Sequence, residues 1–186
     1  MAIVVIWQAL SKRWELRRQF FIAFVASWII LGTASAIALS SGGPVYFGKL
    51  TAQPDPYHQL TLYLEAVHDQ YNLHVIGLRD WLWQSYTLND ENPFTRISAM
   101  PSMHVAMVAL FALVGWRTSR LLGVLFVAYA VVVLIGSVVL GWHYAIDGYA
   151  SILGVGVIWW WSGRLARRWH GGYDTLGSAP GPASTP

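Results

Sequence analysis

Two histidines stand in settings that suit phosphoryl transfer. His104 closes the run Pro101-Ser102-Met103-His104, and His143 opens His143-Tyr144-Ala145-Ile146-Asp147. Proline is favoured in the first turn of a helix, where its missing N–H would have had no partner. The spacing therefore predicts a helix start beside His104, and the exposed N–H groups and dipole there suit an anion. A His at i and an Asp at i+4 share a helix face, so the Asp147 carboxylate is expected to orient the His143 ring. A neutral imidazole can attack phosphorus when a carboxylate fixes its tautomer and stabilises the cation that forms. A second, protonated imidazole on the far side can donate to the leaving oxygen. Backbone N–H groups with Arg or Lys would hold the equatorial oxygens. No metal and no other cofactor is required. Imidazole and carboxylate also suit Zn or Fe, so a metal site built from His104, His143 and Asp147 is the rival chemical reading. A purely structural role for the two rings is the plainer alternative.

The elements that must position these residues are membrane spans. Of the 186 residues, 55% are hydrophobic and only 11% charged, against about 25% charged in ordinary soluble domains. Eleven tryptophans fit an interfacial belt. The absence of cysteine excludes disulfides, thiolate metal sites and cysteine nucleophiles. The net charge of +3 is spread over the ends of apolar runs, which argues against nucleic acid as a partner and for membrane orientation. Phe20–Leu39 and Leu121–Trp142 are charge-free and about 20 residues long, enough to cross roughly 30 Å of hydrocarbon. Ile146–Trp161 is a third candidate span, and Met103–Trp116, shorter, a fourth. The expected fold is an all-α, polytopic membrane bundle over residues 1–172, with crossings near 20–39, 103–116, 121–142 and 146–161. Residues 173–186, rich in Gly, Pro, Ser and Ala, read as a disordered tail. Met1–Ala9 reads as a retained interfacial or partly inserted helix, because its basic cluster follows the apolar run rather than preceding it. Between the first two crossings, residues 40–101 carry a turn-rich start and a loop at Asn89–Pro93. Leu60, Leu64, Val67 and Tyr71 recur at helical spacing within His58–Tyr86, which predicts an amphipathic helix.

With four crossings, Lys12, Arg13, Arg17, Arg18, Arg117, Arg120, Arg164, Arg167 and Arg168 all fall on one side. The positive-inside rule makes that side cytoplasmic and leaves these residues as topology determinants. Residues 40–101 and the turn at His143 then share the opposite, extracytoplasmic face of a cell membrane. Both histidines fall on it, and ionisable groups near a bilayer are functional suspects by default.

These motifs resemble the type 2 phosphatidic acid phosphatases, whose signatures end in Pro-Ser-Gly-His and in His-x-x-x-Asp. Ile97-Ser-Ala-Met-Pro-Ser-Met-His104, Gly141-Trp-His-Tyr-Ala-Ile-Asp147 and Gly43-Pro44-Val45-Tyr46 look closest to the branch that includes inositolphosphorylceramide synthases. The resemblance runs from about Phe20 to Trp161. It implies a lipid phosphate or pyrophosphate as substrate, His143 as nucleophile, Asp147 as its orienting partner and His104 as general acid. Ser102 and the backbone of Met103 would bind phosphate. The family's Lys and Arg-Pro signature has no counterpart here, and Ser137 replaces the Arg six residues before the nucleophile. On the proper face only Lys49, Arg79 and Arg96 can supply cations, with Arg96 nearest and Lys49 second in the candidate set. Glu65, Asp69 and Asp80 read as a solvated helix face, and Trp81, Trp83 and Tyr86 as interfacial anchors. The family core has six crossings against about four here; Met1–Ala9 and His58–Tyr86 can fill the missing places. The enzyme reading, hydrolase or transferase, competes with a small transporter using a histidine proton relay and with a non-catalytic membrane scaffold.

Overall fold

The computed structural model describes residues 1–39, 41–51, 53–88 and 98–174, the last six of these as backbone only. Every regular element among them is helical. Helix α1 (Ala2–Ala9) precedes α2 (Trp14–Ser27), which runs on through a π-helical stretch (Trp28–Ser35) into α3 (Ala36–Ala38) as one rod of 25 residues. A 3-10 turn (Pro44–Tyr46) leads into α4 (Phe47–Leu50). Then come α5 (His58–Tyr71), α6 (His74–Thr87), α7 (Met103–Thr118), α8 (Arg120–Val139) and α9 (Ala145–Asp174).

Helix α7 is the centre of the bundle. Nine of its sixteen residues are buried, from Val105 to Gly115, because α2, α8 and α9 all pack on it. Its Leu110, Phe111 and Val114 meet Phe20, Ala23 and Leu31 of the first rod and Val155 and Ile158 of α9. Helix α8 has the opposite character. It buries only Gly123 and exposes Leu121, Val124, Leu125, Val131, Val132 and Ile135. Water would penalise such a face at about 25 cal/mol for each Å²; hydrocarbon does not. Two helices, Trp14–Ala38 and Arg120–Val139, are long and apolar enough to cross a bilayer, and Met103–Thr118 is apolar but shorter. The fold is an all-helical membrane bundle.

Several boundaries differ from the sequence expectation, for physical reasons. The first rod starts at Trp14 rather than Phe20, since Glu, Arg and Gln are good helix formers and a charge-free run marks what lipid covers, not where a helix begins. Helix α8 stops at Val139 instead of Trp142, because Gly141 adopts φ +70° and turns the chain. Helix α9 continues to Asp174, past both the apolar run ending at Trp161 and the boundary set at residue 172. The His58–Tyr86 stretch is two helices, broken where Asn72 takes the left-handed conformation at φ 50°. The Asn89–Pro93 loop and residues 175–186 of the tail lie outside the described residues.

A second, smaller core caps the histidine end of the bundle. Val45, Tyr46, Leu64 and Ile76 are buried together, with Leu60, Leu73, Trp83, Leu140 and Trp142 packed around them. Helices α5 and α6 thus sit on the turn that joins α8 to α9.

Candidate active site

The α8–α9 turn is shaped by its own backbone and by a docked neighbour. The Trp142 and His143 N–H groups both donate to the Ser137 carbonyl, at 3.1 and 3.3 Å. Val45 N–H donates to the Gly141 carbonyl at 3.1 Å. Gly43 lies against the same turn so closely that a Cβ there would sit 2.1 Å from the Trp142 carbonyl oxygen. Gly43 through Tyr46 therefore form a rest for the turn that carries His143. Tyr46 is 1% exposed, lies edge-on to Trp142 and stacks on Trp83. Its hydroxyl donates to the Arg79 carbonyl at 3.1 Å, and burial, against the pull of the Arg79 charge, pushes its pKa up to about 12. It stays a donor.

His143 precedes helix α9 rather than sharing a helical face with Asp147. Asp147 Oδ2 instead accepts from the Tyr144 N–H at 2.8 Å, and His143 Nδ1 stands 3.9 Å from that carboxylate, beyond a hydrogen bond. The partner of His143 Nδ1 is the Ala99 carbonyl at 2.5 Å. A carbonyl can only accept, so Nδ1 carries the proton and Nε2 of the neutral ring keeps its lone pair. The expected orienting carboxylate is thus replaced in contact by a carbonyl, with Asp147, 1% exposed, held behind the ring. Burial lowers the pKa of His143 below 6.5, and the neighbouring His104 adds to that; the Ala99 bond and Asp147 oppose it. The ring is neutral at physiological pH.

His104 is the second residue of α7 and is exposed. Pro101 is not in the helix as expected. Ser102, with φ −74° and ψ 108°, is the N-cap, and the Met100–Pro101 peptide, cis, lies before it. Ala106 N–H is satisfied by the Ser102 carbonyl at 2.9 Å, which leaves the N–H groups of Met103, His104 and Val105 without helical partners. Ser102 is fully buried, and its Oγ has no hydrogen-bond partner among the described residues.

Both histidines line one cavity of about 290 Å³, with Ser98, Ala99, Pro101, Met103, Tyr46 and Trp142. Both also line a second, of about 440 Å³, which is apolar and lies between α6 and α8 among Val75, Leu78, Leu82, Val133 and Leu140. The structure therefore brings together His104, His143, Asp147, Met103 and the Ser102 backbone. Among the described residues it brings no cation to that lining. Lys49 Nζ lies 5.1 Å over the Trp83 ring, outside the cavity lining. Arg79, 5% exposed, is held by Asp80 at 2.9 Å and Glu65 at 3.3 Å, so those two carboxylates are ion-pair partners and not merely a solvated face. Burial works against the Arg79 charge, and Asp80 and Glu65 outweigh it, raising its pKa. Trp83 belongs to the cap core rather than standing as a free anchor. Arg96 lies outside the described residues. Among the described residues no three His, Asp or Glu side chains gather as a metal set.

Sequence reasoning missed Ala99, whose backbone carries the contact and leaves no trace in residue type. It noted Gly43–Tyr46 without seeing its work; the signal was a Gly-Pro pair with a Gly-Trp-His turn elsewhere that it could meet.

The helical membrane bundle thus carries two histidines at one cavity, one opening the central helix α7 and one in the turn between α8 and α9. The chain belongs to the PAP2 superfamily, whose family model matches residues 1–161. No curated protein and no solved structure matches it.

Proposed function

We propose that this protein is a membrane-embedded lipid phosphatase or phospho-head-group transferase that works through a phosphohistidine. PAP2 membership supports phosphatase-type activity in general; the mechanism and the lipid are our reading. The observation that carries it is the Nδ1 contact of His143 with the Ala99 carbonyl, which leaves the lone pair on Nε2 of a ring that lines the same cavity as His104. In the first step Nε2 of His143 attacks phosphorus, the bond from phosphorus to the lipid oxygen breaks, and protonated His104 gives its proton to that oxygen. Asp147 and the Ala99 carbonyl stabilise the positive ring. Water, or an alcohol in a transferase, then attacks the phosphohistidine while His104 takes up its proton and His143 leaves as the neutral ring. The N–H groups opening α7 suit the phosphoryl oxygens, with Ser102 beside them. Arg96, two residues before the cavity-lining Ser98, is the cation we assign to the phosphate, ahead of Lys49. The apolar groove between α6 and α8 suits the hydrocarbon chain of the substrate, since the same two rings line it. By the charge pattern the site faces the extracytoplasmic side of a cell membrane.

The test is phosphate release from phosphatidate or a prenyl pyrophosphate in detergent, wild type against His143→Ala. We expect release by the wild type only; equal rates for the two proteins would refute the mechanism.

A further inference from the structure

The other end of the bundle carries a cavity of about 430 Å³ that catalysis does not use, lined by Arg13, Arg117 and Arg167 together with Glu15, Gln19 and Gly163. The three arginines come from separate places in the chain: the residue before α2, the last turn of α7, and α9. Arg13 Nη1 donates to the Arg117 and Thr118 carbonyls at 3.1 and 3.4 Å, fastening the start of α2 to the end of α7. Among the described residues no carboxylate pairs with Arg13, Arg117 or Arg167, and Glu15 is the one acidic residue in the lining. Other arginines at this end behave differently; Arg164, for example, lies 3.3 Å over the Trp160 ring.

Beside this basin runs an apolar groove of about 540 Å³ between α7, α8 and α9, lined by Ala112, Trp116, Val131, Leu134, Gly156 and Trp159. Arg117 lines both spaces. Gln19, in the basin, donates to the carbonyl of Trp159, in the groove, at 2.9 Å. A basin of three guanidiniums, without a carboxylate partner among the described residues, joined to an apolar trough complements an amphiphile with an anionic head. Arginine suits a phosphodiester because its planar fork offers two parallel donors.

We propose that this end binds one anionic phospholipid, its phosphate among Arg13, Arg117 and Arg167 and an acyl chain along the groove. The site is separate from the histidine cavity: His104 and Arg117 are thirteen residues apart on one helix, about 20 Å. The arginines then recognise a lipid as well as orienting the chain. The lipid stays intact, since among the described residues no imidazole lines either space.

The experiment is native mass spectrometry of the full chain released from detergent, in a His143→Ala background so that turnover plays no part. The probes are phosphatidylglycerol, phosphatidylcholine and inorganic phosphate. We expect phosphatidylglycerol to be retained about tenfold over phosphatidylcholine, and that preference to vanish in Arg117→Gln/Arg167→Gln. Gly156→Leu fills the groove at a position where an added Cβ meets nothing within 4 Å; it is expected to weaken phosphatidylglycerol retention severalfold. If the double variant does not fold, Gly156→Leu decides alone, and unchanged retention overturns the proposal. Equal retention of the two lipids by the parent protein also overturns it. Inorganic phosphate bound as well as phosphatidylglycerol would mean a free-anion site. A dimer dissociated by Gly156→Leu, without lipid preference, would mean that a second copy fills the groove.

Discussion

The two ends of the bundle are built from the same helices and hold opposite chemistry. At one end, α7 opens with His104 and α9 is preceded by His143; the cavity between them has two imidazoles and, among the described residues, no Lys or Arg in its lining. At the other end, α7 closes with Arg117, α9 carries Arg167, and Arg13 stands before α2; that cavity has three guanidiniums and, among the described residues, no histidine in its lining. Imidazole exchanges a proton near neutral pH, so it can take part in bond making and breaking. Guanidinium holds its charge throughout and can only attract and orient. Our proposals put reaction where the charge changes and binding where it is fixed.

Removing the exchangeable charge is the sharpest way to break the contrast. His143→Ala should lower kcat for lipid-phosphate hydrolysis at least about a thousandfold, as loss of a nucleophile does elsewhere. Arg117→Gln should change it by less than about twofold, and comparable losses in the two variants would erase the distinction between the ends.

The turn that presents His143 comes next. Gly43→Ala pushes a Cβ to within 2.1 Å of the Trp142 carbonyl, so the turn must shift. A displacement near 1 Å costs about a hundredfold in rate, which steady-state assays would register as a fall in kcat larger than any rise in KM. Asp147→Asn keeps an oxygen able to accept from Tyr144 and removes the charge 3.9 Å from the ring. The loss should be tenfold to a hundredfold, roughly the scale of an outer-shell partner; an unchanged rate would assign the whole orienting role to Ala99.

The pH profile separates the two ends by sign. The His143 pKa lies below 6.5. As pH falls through it the ring gains a proton and loses the lone pair that attacks. The acid limb of kcat/KM should therefore appear below pH 6.5, whereas lipid retention at the arginine end should stay level from pH 5 to 8. An acid limb above 6.5 would contradict the burial argument.

The smallest effect concerns the cap. Arg79→Ala leaves Glu65 and Asp80 without their cation; both are about half exposed, so the destabilisation should be about 1–2 kcal/mol rather than the larger value of a buried pair. Thermal unfolding in detergent would read it, with hydrolysis reduced only through loosening of Tyr46 and Trp142.

Much of this was legible in residue order. Apolar runs and their lengths gave the helices, because a chain in hydrocarbon must satisfy its backbone bonds within each segment. The His104 and His143 motifs, one helical hairpin apart, gave the histidine pair, which the structure puts at one cavity. Their catalytic roles and the membrane face remain our proposals. The sequence was silent on partners that come from far along the chain. Spacing paired Asp147 with His143, and that carboxylate stands 3.9 Å from Nδ1, but Ala99, 44 residues away, makes the hydrogen bond. Charge alone left Arg79 free for phosphate, whereas the α5–α6 hairpin folds Glu65 onto it.

Composition and periodicity thus determined that this chain is a helical membrane protein with paired histidines, because burial in lipid and helical repeat act over neighbouring residues. Tertiary packing alone decided which nitrogen of His143 is free, which cations are already neutralised, and that three arginines from distant segments converge on one basin. Those are contacts across the chain, and no local pattern encodes them.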